Sequence, residues 1–377
     1  MNPFQNAALR REKLRSALAG QGLDAMLVSS VPNVTYLTGF QGEASHLVVS
    51  KSKDILVSDA RFTEQIRQEC PGLEALIRPP NRKTLEMVAQ AINDLGATKI
   101  GFESAILTVA DFELLKELLP AKEWKPATSL VETQRMVKDE NELACIRKAI
   151  LQAENGFLEM KARLKAGKTE KQIADDLDNI LRNQGARCAA FPLIVASGPR
   201  AALPHAIPGN FDIGAESHLL VDWGATDVSG YRSDLTRVLI SNNYRQESSK
   251  MDPKGLFRKI YEVALKAQKA AFAAIRPGVL AQEIDNKARQ VIADEGFAEY
   301  FGHGLGHGIG LQIHEAPWIR PSSDTVLLEG MIFTLEPGIY LPGFAGVRIE
   351  DDVMVTREGA VQLTSLPKEW EDQVFEV

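Results

Sequence analysis

Apolar residues recur at helical spacing from Ala8 to Gly20, and Gly22 closes that run before a short apolar strand, Ala25 to Val28. Strand-like segments follow at 46–50 and 54–58, then helical patterns at 60–69, 82–95 and 109–119. Pro120 and Pro126 punctuate the end of this mixed α/β half, and the charged segment from Lys138 to Glu142 opens a long helix. The pattern thus predicts a first domain over residues 1–132 and a second over 139–377.

In the second half, Thr169 with Gln172 forms a capping-box signature for a helix ending near Asn183. A strand at 191–197 and a hairpin over 218–240 come next. Two helical runs, 254–275 and 281–295, are separated by Pro277 and Gly278. A glycine-rich stretch at 302–310 then leads to a second hairpin over 331–356. Each hairpin is preceded by two helices, which predicts an internal structural duplication.

With 377 residues and 45% apolar content the chain can build two or three cores at about 150 residues per domain. Acidic residues outnumber basic ones 50 to 43, which argues against a basic surface for nucleic acid. Cys70, Cys145 and Cys188 are few, odd in number and free of C-x-x-C spacing, so a reducing cytoplasm is the expected setting. No export signal and no run of about 18 apolar residues is present, so no membrane partner is expected.

The acids change the picture. Asp222 and Asp234 straddle the turn-forming residues Asp227 to Gly230, and Glu336 and Glu350 straddle Leu341 to Gly346. Hairpins centred near 228 and 343 would set the members of each pair roughly opposite, with Cβ atoms roughly 4.5–5.5 Å apart on one face. Such a pair persists if one acid is protonated or a cation lies between them. The competing reading is a solvated sheet face, or acids paired with Arg232, Arg237 or Arg348.

Between the hairpins, FGHGLGHGIGLQIHEAP holds His303, His307 and His314 among five glycines, which let backbone approach a ligand or another strand closely. Taken alone, that stretch also fits a tight buried crossing with solvated histidines. Four carboxylates and one neutral imidazole carry a formal charge of about minus four, which two divalent cations balance. Arg348 lies two positions before Glu350, on the same strand face, where it either hydrogen-bonds a ligating carboxylate or forms a surface ion pair.

The string VDWGATDVSGYRSDLTR, followed by GHGIGLQIHEAP, FTLEPG and VRIEDD, resembles the metallopeptidases of the pita-bread (creatinase/aminopeptidase) fold. This group includes prolidase, aminopeptidase P and methionine aminopeptidase. The resemblance implies an N-terminal creatinase-like α/β domain and a C-terminal pita-bread domain with an antiparallel sheet and a pseudo-twofold duplication. NVTYLTGFQGEAS and DILVSDARFTEQI are similar to the first domain of short aminopeptidase P proteins.

Carried over by position, the likeness makes Asp222, Asp234, His307, Glu336 and Glu350 the ligands of two divalent ions. Asp234 and Glu350 would bridge them, and Glu336 would also shuttle a proton. Manganese suits the oxygen-rich set, with zinc, cobalt or iron as substitutes. The likeness casts His205 and His314 beside the scissile bond, the latter steadying the tetrahedral intermediate. His303 would shape a proline pocket, and Arg348 would support the ligands. The implied activity is Xaa-Pro aminopeptidase, with Xaa-Pro dipeptidase as the alternative, in a homodimer acting on proline-containing peptides. A non-catalytic binding protein of the same fold is a weaker reading, because all five ligand positions are kept.

Overall fold

The structure, a computed structural model, describes residues 3–214, 218–243 and 253–376. Two compact units divide between Arg135 and Met136.

The first unit is built on a six-stranded mixed sheet. Its order is Glu74–Arg78, Asp54–Asp59, His46–Ser50, Ala25–Val28, Lys99–Phe102, Glu123–Pro126. The hydrophobic pattern shows only three of these strands. Glu74–Arg78 and Glu123–Pro126 lie at the sheet's two edges and are only partly buried, and neither shows a sustained alternation of apolar with polar residues. The helix Val31–Thr38 is also missing from the pattern, since its β-branched sequence VPNVTYLT has poor helical propensity. Tertiary contact compensates. The buried Glu103 carboxylate accepts N–H bonds from Ser29 (2.6 Å) and Ser30 (2.7 Å) at the helix start, where no side-chain cap is present.

In the second unit, the helices Glu140–Ala162 and Glu170–Asn183 each begin with a capping box, on Asp139 and Thr169. They precede a four-stranded sheet ordered Val374–Phe375, Leu235–Ser241, His218–Trp223, Ile194–Ser197. The helices Pro253–Ala274 and Ala281–Asp294 precede a five-stranded sheet. Its order is Glu315–Ile319, Gly306–Gly308, Ile332–Leu335, Asp351–Thr356, Gly359–Gln362. The helix-pair-then-hairpin order therefore occurs twice. One antiparallel bridge, Thr236 with Glu350, joins the two sheets.

The glycines of the histidine stretch permit a very close strand approach. A Cβ at Gly306 would lie 2.0 Å from the Thr334 carbonyl oxygen, and one at Gly308 would lie 2.2 Å from that of Ala316. Neither position admits a side chain without moving backbone. Beneath the sheet, Phe333, Leu335 and Val353 share one apolar cluster with Ile260, Ala264 and Ala271 of the helix Pro253–Ala274. Among the described residues no helix is long and apolar enough to cross a membrane. All three cysteines are free thiols.

Candidate metal centre

The first hairpin departs from the expected register. Asp222 faces Thr236, and Trp223 faces Leu235. The turn is centred on Ser229 instead of Val228, because the Asp227 N–H reaches Tyr231 and not Gly230. Asp234 is thus diagonal to Asp222, two residues before Asp222's partner. Period two still keeps both acids on one face.

The second hairpin keeps the expected register but opens at the acids. Leu335 pairs with Asp351, and Gly338 with Arg348, so Glu336 and Glu350 are aligned across a gap between two ladders. There the Glu336 N–H donates to the Leu305 carbonyl (2.8 Å) and the Glu350 N–H to the Thr236 carbonyl (3.2 Å). Behind the gap, the side-chain amide of Gln268 donates to the carbonyls of Leu335 (3.0 Å) and Ile349 (3.1 Å) and to Asp351 (3.0 Å).

His307, Asp234, Glu336 and Glu350 come together, and Asp222 shares the sheet face of Asp234. His307 Nε2 lies 3.3 Å from Glu336 Oε1 and 3.7 Å from Asp234 Oδ2. One ligand atom from each of Asp234, His307 and Glu350 falls within 4.8 Å of the others. His307 Nδ1 is 3.2 Å from the carbonyl of Gly308, which makes it the protonated nitrogen and turns the Nε2 lone pair toward the carboxylates. That arrangement requires a cation or a second proton between them. Burial lowers the His307 pKa, but the hydrogen bond and charge of Glu336 outweigh it and the net shift is upward.

Burial also pushes Asp222, Asp234 and Glu350 above the usual carboxylate range. The neighbouring acids push the same way, and Arg348 opposes the rise at Asp222 and Glu350. Burial acts upward on Glu336 too, but His307 pulls it down to about 2. Asp222 Oδ1 is buried without a hydrogen-bond partner among the described residues. An unpaired buried carboxylate oxygen, an imidazole lone pair aimed at carboxylates and mutually repelling acids all fit a site for divalent cations.

A polar frame surrounds the ligands. Arg348, itself buried, forms an ion pair with Asp222 and donates to Tyr340 (2.7 Å) and Thr236 (3.1 Å). Thr236 in turn donates to Glu350 (2.6 Å). The Tyr340 hydroxyl is 3.0 Å from His303 Nε2, while His303 Nδ1 is 2.7 Å from the Gly304 carbonyl. His303 is therefore an Nδ1–H tautomer that accepts from Tyr340, and burial holds it below its ordinary pKa. His314 stands edge-on to His307 at 4.3 Å between ring centres, and His205 is exposed on its loop. Of the arginines that competed for the acids, Arg232 donates to the Ala190 carbonyl and Arg237 pairs with Asp351.

The sequence reading missed Thr236, Tyr340, Asp352 and Gln268. Asp352, fully buried, accepts the Asp234 N–H (3.1 Å). Thr236 and Asp352 follow Asp234 and Glu350 by two residues, so strand alternation places them on the ligand face. Gln268 lies on a helix and carries no such signal.

Two family models match the chain: Metallopeptidase family M24 over residues 144–357, and Creatinase/Prolidase N-terminal domain over residues 10–137. A solved structure of an Xaa-Pro dipeptidase from Bacillus anthracis superposes with a TM-score of 0.91 at 36% identity, covering 99% of this chain and 100% of that one. An X-Pro aminopeptidase from Thermotoga maritima gives a TM-score of 0.86 at 34% identity, covering 98% and 100%. An Xaa-Pro dipeptidase from Pyrococcus horikoshii is 32% identical over 95% of this chain and 97% of its own length.

Proposed function

Because the chain belongs to metallopeptidase family M24, and is thereby a metal-dependent peptidase of pita-bread fold, we propose that it is an Xaa-Pro dipeptidase, hydrolysing the bond between an N-terminal residue and a C-terminal proline. The observation that carries this reading is end-to-end likeness to Xaa-Pro dipeptidases at 36% and 32% identity. It reverses the order expected from sequence, where aminopeptidase came first. The Thermotoga X-Pro aminopeptidase, similar at 34% over nearly the whole chain, keeps that activity as the second reading.

In this account, residues 139–377 are the catalytic domain and residues 1–132 a creatinase-like domain. Asp222, Asp234, His307, Glu336 and Glu350 would hold two divalent ions, manganese by preference for oxygen donors. Bound there, such ions polarise the scissile carbonyl and make water acidic enough to attack at neutral pH. The Glu336 side chain, 16% exposed, is open enough to reach substrate and sits against His307. It takes the proton of the attacking water and delivers it to the proline nitrogen, which has no hydrogen of its own in the peptide. His303, fixed by Tyr340 and Gly304, offers a neutral ring to the proline. His314 and His205 face the tetrahedral intermediate, and Arg348 holds Asp222 and, through Thr236, Glu350. Free cysteines support a cytoplasmic setting, and a homodimer completes the reading.

The test is the ratio of kcat/KM values for Xaa-Pro dipeptides and Xaa-Pro-Xaa tripeptides with manganese-loaded protein. A preference of at least about tenfold for dipeptides, or about 1.4 kcal/mol in the transition state, is expected. The reverse preference establishes the aminopeptidase reading.

A further inference from the structure

The hairpin that carries Glu336 and Glu350 has a second face. Along the strand Asp351–Thr356, Asp352 points toward the ligands, while alternation sends Asp351 and Val353 to the opposite side with Leu335. On that side a cavity of about 250 Å³ lies between the sheet and the helix Pro253–Ala274. A volume of this order admits several waters or one small molecule the size of an amino acid.

Its lining is chemically differentiated. Phe272, Leu335 and Val353 supply apolar wall, and Lys269 and Lys368 supply two ammonium groups. Gln268, 1% exposed, supplies a buried amide. The orientation of this amide is fixed, because its nitrogen already serves two carbonyls and Asp351. Its Oε1 is left without a hydrogen-bond partner among the described residues, an acceptor that calls for a donor. Lys368 donates to Asp351 and to Gln362 (2.7 Å), which uses two of its three N–H bonds. At the rim, the Lys269 side chain is 54% exposed and paired with Glu369.

We propose that this cavity is a binding site for a free amino acid with an apolar side chain. The ammonium donates to Gln268 Oε1, the carboxylate accepts from Lys368 and Lys269, and the side chain packs on Phe272, Leu335 and Val353. Gln268 holds the carbonyls of Leu335 and Ile349, each one residue before a ligand of the proposed centre. The cavity therefore lies one hydrogen-bonded side chain away from the backbone that precedes Glu336 and Glu350. The physiological source, an amino acid released by the dipeptidase, rests on the proposed function; the binding itself does not.

Isothermal titration of the full-length, manganese-loaded protein with L-leucine, L-proline and N-acetyl-leucine amide tests the site without turnover, so a failure of the peptidase reading leaves the result interpretable. At least one of the two free amino acids is expected to bind saturably at one site per chain, and the blocked amide at least about tenfold more weakly. Lys269→Glu, which reverses an exposed charge, and Phe272→Trp, which fills the cavity, are each expected to weaken that binding at least about tenfold while melting like wild type. His307→Ala, placed at the other face, is expected to retain it. Absence of saturable binding overturns the proposal, as does binding that survives both cavity variants or that is lost in His307→Ala.

Discussion

In the first hairpin, Asp222 sits in an unbroken ladder and Asp234 just beyond its end, so strand alternation sets both side chains on one face, with the Asp234 N–H held by Asp352 and the Asp222 carboxylate by Arg348. In the second, the ladder opens at Glu336 and Glu350, whose N–H groups turn outward to Leu305 and Thr236 while Gln268 grips the preceding carbonyls. A regular strand pair positions carboxylates with little help. An opened one needs three further segments, and the two carboxylates gain positions that strand pairing alone does not provide. The second hairpin should therefore be the more fragile, both in chemistry and in stability.

The largest effect is expected at Glu336, the more accessible acid of that hairpin. Glu336→Gln keeps size but removes the base, so turnover should fall about 10²–10⁴-fold in protein that still binds manganese. Wild-type turnover in the metal-loaded variant would remove Glu336 from the proton path. Gln268→Leu probes the opening from behind. Removing the donor to Leu335 and Ile349 should cost roughly 2–3 kcal/mol in urea unfolding and weaken manganese binding. A variant as stable as wild type would mean that the gap holds itself open.

The contrast between the hairpins also marks how far the sequence could be read. Asp222, Asp234, Glu336 and Glu350 stand out because acids beside turn-forming residues within apolar strands are costly without a purpose. Thr236 and Asp352 follow from the same period of two. The one-residue displacement of the first turn does not, since Asp227 to Tyr231 closes a longer loop than the Gly230 signal suggests. Gln268 and Tyr340 become visible only when distant segments meet. In the first unit, the helix Val31–Thr38 depends on Glu103, about seventy residues away, a contact outside any local window.

A smaller effect separates two histidines on one segment. His303→Ala removes the ring held by Tyr340 and should lower kcat/KM on Xaa-Pro substrates about 10–100-fold with metal content unchanged. Full efficiency, or loss of metal, would contradict its assignment to the proline pocket.

The first hairpin should be the quieter, and its main sensitivity is to acid. His218, at its start, is buried, stacks on Phe257 at 4.1 Å and has its pKa pushed by burial down to about 4. Between about 6.5 and about 4 the unfolded chain takes a proton that the folded one refuses. Stability from this group is thus complete above about 6.5 and declines as the pH falls. His218→Gln should reduce the loss between pH 7 and 4.5 by roughly 2–3 kcal/mol in urea unfolding. Parallel pH curves for variant and wild type would assign the acid sensitivity elsewhere.

Both hairpins matter to catalysis only if their acids and His307 hold divalent metal together. Elemental analysis of wild-type and His307→Ala protein, after chelation, manganese readdition and desalting, tests it most directly when paired with peptidase activity. About two ions per wild-type chain, activity that follows manganese, and loss of both in His307→Ala are expected. Full activity in metal-free wild-type protein would contradict it.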